Sequence, residues 1–283
     1  MVRITSCNPA ELKDPDVPPV FSGYPVADRS GWAEYWDEYR RAHAQLHESF
    51  SVFCVERGAP PLPELDFIHE SPWLNLYLYP PAIDYARARA LGPAWHNLGA
   101  SVRATDAAWE AERGDGKLLY LSLGSLGSGD VELMQRLIDT LAQSPHRVIV
   151  SKGPQHDQIR LADNMTGEEF LPQTSLLPQV DLVITHGGNN TVTEALYFGK
   201  PMVVLPLFWD QYDNAQRIDE MGLGARLDTY GHEPAELLAA VDRLLADSAL
   251  AERLRVLMGE LQAAPGTVRA ADLIEGVAAQ SGM

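Results

Sequence analysis

From Leu118 onward the chain alternates short, almost wholly apolar runs with longer stretches of helical periodicity, and this alternation confines it to one kind of architecture. Residues 118–123, 147–150, 181–185, 201–206 and 224–227 read as strands. Residues 130–143, 190–198, 211–221, 233–246, 248–263 and 267–279 read as helices. A strand without polar alternation is buried on both faces, and strands each followed by a helix pair in parallel. The expected fold class is therefore α/β, with a Rossmann-like parallel sheet in the C-terminal part. Sheets of this kind bind ligands at the carboxyl ends of their strands.

The first 117 residues are patterned differently. Pro9, Pro15, Pro18, Pro19 and Pro25 keep regular structure short near the start. Residues 2–6 and 74–79 read as strands. Between them, residues 31–57 read as a helix whose Trp32, Tyr35, Trp36, Tyr39, Leu46, Phe50 and Phe53 recur at three- and four-residue steps, as a core stripe or the wall of a pocket. Residues 92–117, punctuated by Gly92, Pro93, Gly99, Gly114 and Gly116, read as a connector. The expected organisation is a first unit over 1–100, a linker over 101–116, a ligand-binding domain over 117–270, and a helix end and tail over 271–283.

A net charge of −17 argues against nucleic acid or an anionic membrane as partner, since both need a positive footprint. An acidic chain that binds an anion must use local amides and helix dipoles instead. The sequence holds no stretch approaching the ~20 apolar residues of a membrane span, and its start lacks the layout of a signal peptide, so a cytoplasmic location is expected. Cys7 and Cys54 match no metal or redox spacing and read as buried thiols. His43 and His47 stand one helical turn apart, a spacing that can hold metal, but without further ligands in view they read as surface or core residues.

The candidate chemistry sits where strands end. His186-Gly187-Gly188-Asn189-Asn190-Thr191 joins a strand to a helix. Its glycines permit close backbone approach, Asn and Thr suit a helix start, and free N–H groups there attract an anion such as a diphosphate. A tight turn around a buried histidine is the plainer reading of the same residues. Glu194, four residues after Asn190 and three after Thr191, shares their helix face. One turn inside the helix, about 5 Å from the anion end, it can reach ribose hydroxyls; a solvated helix carboxylate is the alternative. Asp210 and Gln211, after the next strand, offer acceptors and an amide for hexose hydroxyls, or a cap for the following helix. Phe170 and Gln173 follow an earlier strand, where an aromatic can stack on a base and an amide can read its edge.

Together these residues resemble the nucleotide-sugar signature of the family 1, UDP-glycosyltransferase-like GT-B enzymes. The run comprises Phe170 to Gln173, Leu177 to Gln179, Thr185 to Glu194, Phe198 to Pro201, Pro206, and Asp210 to Arg217, with the spacing from His186 through Glu194 to Asp210 kept without a gap. The resemblance implies that His186, Gly187, Gly188, Asn190 and Thr191 hold the diphosphate, Glu194 the ribose, and Asp210 and Gln211 the transferred sugar. Gly124 and Ser125 match the family's loop near the phosphates. Phe170 stands where many members carry a Trp that stacks on uracil, and Asn189 and Asn190 replace a Gly/Trp–Asn/Gly pair common among relatives.

The family resemblance further implies inverting, metal-independent hexosyl transfer from a UDP- or dTDP-sugar to a hydroxyl of a small-molecule acceptor, with the nucleotide sugar as co-substrate and no other cofactor. It places the start of this chain late in the first, acceptor-side domain, so the family's acceptor-activating His and its Asp partner are expected upstream and no catalytic residue is assigned here. The alternative is a donor-binding, non-catalytic or split-enzyme subunit that meets a partner chain or a second copy; a nucleotide-sugar epimerase is a third reading.

Overall fold

A computed structural model describes residues 1–103, 108–111 and 114–280. Residues 104–107 and 112–113 of the expected linker, and 281–283 of the expected tail, lie outside the described residues.

Two parallel sheets organise the chain. The smaller has the order β1-β2-β3, built from β1 (Arg3–Thr5), β2 (Asn75–Tyr77) and β3 (Trp95–Asn97). The long helix α1 (Trp32–Glu56) lies between β1 and β2 in sequence. The larger sheet follows, with β4 (Leu118–Ser122), the short helix α2 (Gly124–Gly127), α3 (Val131–Leu141), β5 (Arg147–Ser151) and β6 (Met165–Glu168). It continues through the single-turn α4 (Gln173–Leu176), β7 (Leu182–Thr185), α5 (Asn189–Tyr197), β8 (Met202–Val204), α6 (Gln211–Glu220) and β9 (Gly224–Arg226). Helices α7 (Pro234–Ala246), α8 (Ser248–Ala263) and α9 (Gly266–Gln280) close the chain.

The six strands of the larger sheet run in the order β6-β5-β4-β7-β8-β9, all parallel. The chain winds outward from β4 to β6, then returns to start again at β7 beside β4. Strands β4 and β7 therefore flank the point where the winding reverses, and Ser122 pairs with Thr185 at their carboxyl ends. The apolar runs are buried as their composition requires: Leu119, Tyr120 and Leu121 of β4, all of β7 and all of β8 are at most 1% exposed. Helix α3 lays Leu133, Met134, Leu137, Ile138 and Leu141 into the same core, and Asp130 caps it by accepting the Leu133 amide at 3.0 Å.

The smaller sheet departs from its sequence reading in two ways. The stretch read as a connector from residue 92 begins with β3, which pairs along β2 with Leu76 opposite His96. Three residues between Pro93 and Gly99 carry too little pattern to stand out alone; pairing with a buried neighbour makes them a strand. The aromatic stripe of α1 also divides. Trp32 and Tyr39 are buried, and Tyr35 and Trp36 pack beside Val17, Val20 and Tyr85. Leu46, Phe50 and Phe53 are exposed. A helix of 25 residues is about 37 Å long, whereas a three-residue strand covers roughly 10 Å, so its second half runs past the body it packs on. Both thiols, read as buried, are free and only half-buried.

Helix α9 crosses the boundary drawn at residue 270. Its Ala270, Leu273 and Val277 pack on Leu74, Leu76 and Leu98 of the smaller sheet. The crossing starts at Gly266, where a Cβ would lie 2.4 Å from the Leu98 carbonyl oxygen and 2.7 Å from that of Ala100. Only a residue without a side chain lets the backbones meet there.

Candidate functional site

The reversal between β4 and β7 opens a cleft of about 370 Å³ at their carboxyl ends, lined by Gly124, Ser125, Phe170, Gln173, Asn190 and Glu194 among the expected residues. After β4 the chain turns at Gly124, whose φ of +69° suits glycine, and a Cβ there would sit 2.8 Å from both Cε1 and Nε2 of His186. A glycine is needed because the imidazole that follows β7 presses against this turn. Burial pushes the His186 imidazole down to about 4, so the ring is neutral at pH 7. Its Nδ1 lies 3.3 Å from the Thr185 hydroxyl.

Helix α5 begins one residue earlier than its sequence suggests, and its cap differs. Gly188 occupies the N-cap, Asn189, Asn190 and Thr191 are the first helical residues, and no side chain caps the end. The first amides of a helix have no intrahelical acceptor, so this end keeps its donors and the positive end of its dipole directed out of the strand layer. Asn189 instead ties the helix to the smaller sheet, donating from Nδ2 to the Leu78 carbonyl at 2.9 Å.

Glu194 lies one turn inside, held rather than solvated. Gln173 Nε2 donates to its Oε2 at 2.6 Å and lies 3.3 Å from Thr191 Oγ1, while Tyr120 donates its hydroxyl to Gln173 Oε1 at 3.2 Å. Burial raises the Glu194 carboxyl above its usual range, against the opposing effects of the Gln173 bond and the Arg103 charge. The Gln173 carboxamide thus fixes the carboxylate at the wall of the cleft. Phe170 stands at the rim, 61% exposed.

Asp210 and Gln211 lie after β8, where the two sheets meet. Asp210 Oδ2 accepts the Asn8 amide at 2.9 Å, and its side chain makes no cap to α6. Burial, followed by the neighbouring Glu11, pushes its carboxyl up to about 6 against the lowering effect of the Asn8 bond. Gln211 Oε1 accepts the amides of Leu207 and Phe208 at 2.9 and 3.1 Å and so shapes the loop carrying Trp209, which holds a φ of +54° and is 63% exposed. The rest of the motif builds the seam between the sheets. Asn214 Nδ2 donates to the Gly187 carbonyl at 2.9 Å, and Asn8 Nδ2 donates to Asn214 Oδ1 at 2.9 Å. Arg217 donates to the carbonyls of Ile83 and Asp84 at 2.7 and 3.0 Å.

Several lining residues carry no motif. Leu78, Ser101, Arg103, Tyr120, Ser122, Ser151 and Gly153 reach the cleft from four separate segments. For Ser122 the signal was its place at a strand end; for the others it is the strand order that brings them together. The paired histidines of α1 are engaged separately: His43 Nδ1 donates to the Tyr39 carbonyl at 2.9 Å and His47 Nε2 to that of Pro63 at 2.8 Å. Among the described residues no group of three His, Cys, Asp or Glu side chains is placed to hold a metal, and no helix is long and apolar enough to cross a membrane.

The sequence of residues 105–259 matches the family model described as UDP-glucoronosyl and UDP-glucosyl transferase. The chain belongs to this family. Among curated members, it is 34% identical over 167 residues to NDP-glycosyltransferase YjiC of Bacillus subtilis (strain 168), covering 58% of this chain and 43% of that protein. It is 29% identical over 248 residues to the oleandomycin glycosyltransferase of Streptomyces antibioticus, covering 85% of this chain and 57% of that protein. The chain thus spans about half the length of these curated relatives. The crystal structure of the glycotransferase of kitacinnamycin superposes with a TM-score of 0.76 at 29% identity, over 92% of this chain and 68% of the other. CalG4, the calicheamicin glycosyltransferase, shares the fold with a TM-score of 0.69 at 24% identity, over 98% of this chain and 67% of the other. The α/β architecture with its Rossmann-like parallel sheet is that of the GT-B glycosyltransferases.

Proposed function

We propose that the cleft between β4 and β7 binds a nucleoside diphosphate sugar and that the chain serves hexosyl transfer to a hydroxyl of a small-molecule acceptor. The observation that carries this reading is the meeting of Gly124, the His186 imidazole and the uncapped start of α5 at the reversal point of the sheet. In this reading the amides that open α5 and the neutral His186 ring take the diphosphate. The His186 ring stands against both glycines of the cradle, with Cε1 and Nε2 beside Gly124, Nε2 beside Gly188 and Nδ1 3.3 Å from the Thr185 hydroxyl. Glu194, braced by Gln173, accepts from the ribose, Phe170 faces the base, and Asp210 with Gln211 meets the transferred sugar.

A diphosphate seated on fixed donors leaves with its growing charge already stabilised, so attack of a deprotonated acceptor hydroxyl on the anomeric carbon can proceed in one inverting step without a metal or a further cofactor. Both UDP- and dTDP-sugars fit this reading. The base that takes the acceptor proton is assigned to no residue of this chain. Because the chain spans about half of its relatives, a second reading is that it binds the donor while a partner chain or a second copy brings the acceptor and the base.

Thermal-shift titration with UDP, dTDP and their sugars tests the donor reading; a ligand at a hundred times its Kd stabilises the fold by about 2.7 kcal/mol. Indifference to every nucleoside diphosphate would end it. Product analysis with an acceptor panel, run beside sedimentation of the chain alone, separates the two readings of the acceptor side.

A further inference from the structure

We propose that Arg103 is a further donor-binding residue, whose guanidinium supplies the counter-charge for the diphosphate on the open side of the cleft; the inference rests on the nucleotide-sugar reading above. Among the described residues lining the cleft, Arg103 is the single cationic side chain, facing the same space as Gly124, Ser125 and Glu194. It is exposed. Among the described residues its guanidinium has no hydrogen-bond partner and no ion pair, only the longer-range attraction of the Glu194 carboxylate.

Its direction follows from the local backbone. Residues 101–103 form neither helix nor strand, and Val102 packs against the main hydrophobic core while Ser101 and Arg103 on either side line the cleft. Partly buried Val102 acts as an anchor on the core, and the residues on either side of it face the cleft. The chemistry is selective. The α5 amides and a neutral imidazole offer partial charges from one side, and the protein's net charge of −17 opposes a dianion at longer range. A planar guanidinium with a fixed fork of donors matches phosphate oxygens better than it matches a base or a ribose. If Arg103 only balanced Glu194, its removal would disturb ribose contacts and weaken every nucleoside ligand alike.

The test is calorimetric titration of the full chain and its R103Q and R103K variants with a ligand ladder: uridine, UMP and UDP, and thymidine, TMP and dTDP, each at low and high salt. The expected result for R103Q is a loss of about ten-fold in affinity for the diphosphates, less for the monophosphates, and none beyond about two-fold for the nucleosides. The salt dependence of diphosphate binding should become shallower, and R103K should recover part of the loss. Equal weakening along the ladder, or undiminished diphosphate affinity, overturns the inference and leaves the nucleotide reading standing. A parent chain that binds no member of the ladder overturns both.

Discussion

The side chain of Asn214 donates to the carbonyl of Gly187 at 2.9 Å, so a residue of α6 fixes the backbone of the turn that precedes α5. Asn214 is fully buried and its Oδ1 accepts from Asn8, which is equally buried and also donates to the Tyr79 hydroxyl at 3.0 Å. One carboxamide therefore connects the start of the chain to the turn between β7 and α5.

Asn214→Ala leaves the Gly187 carbonyl and one Asn8 donor without partners in a closed interior. Each such group costs about 1–3 kcal/mol, so urea unfolding should report a loss of roughly 2–6 kcal/mol. At temperatures where the variant stays folded, its affinity for UDP or dTDP should also fall. A variant with parent-like stability would show that the network contributes nothing to the fold.

Gly124→Ala places a methyl 2.8 Å from the His186 ring at a φ of +69°. Either the ring or the turn must move. The expected cost is about 1–2 kcal/mol of stability for the left-handed backbone, with nucleoside diphosphate affinity reduced by an order of magnitude or more as the ring leaves its place. Calorimetric titration checks this; unchanged affinity would separate His186 from the diphosphate.

Asp213 is closed off from solvent, accepting the amides of Phe21 and Gly23 at 2.7 and 2.9 Å, and burial pushes its carboxyl up to about 7 from 3.8. The folded state then holds a proton that the unfolded state has released between about pH 4 and 7, so this group makes stability fall as pH rises through that window. His186, lowered to about 4 from 6.5, acts oppositely and makes stability rise between those values. Replacing Asp213 by Asn removes the falling contribution while keeping one acceptor, so the stability profile from pH 4.5 to 7 should tilt upward relative to the parent. Parallel profiles of parent and variant in urea unfolding would contradict the assignment.

Gly266→Ala drives a methyl into two carbonyl oxygens at the start of α9. The helix should lose its seat on Leu74, Leu76 and Leu98, with a stability cost of about 1–3 kcal/mol from the forced clash. Limited proteolysis should cut near residue 265 faster than in the parent, and resistance equal to the parent would argue that the crossing tolerates a side chain.

Local pattern alone was enough to place five of the six strands of the larger sheet and the turn after β7, while β6 was legible only as a short strand before Phe170. Continuous apolar strands between amphipathic helices have few ways to hide both faces, and the spacing from His186 through Glu194 to Asp210 follows from one strand–turn–helix unit and the next. The remainder came from how the elements pack. Strand order set β4 beside β7, and so brought Gly124 against His186 and Tyr120 behind Gln173, over separations of more than fifty residues that no local pattern encodes. It made β3 a strand through pairing, and it carried α9 back onto the first sheet. It also turned Gln173, Gln211 and Asn214 inward to satisfy polar groups that folding buries. Local periodicity shows which face of an element is apolar; which other element covers that face, and which polar atoms must then be paired, is settled only when the layers close.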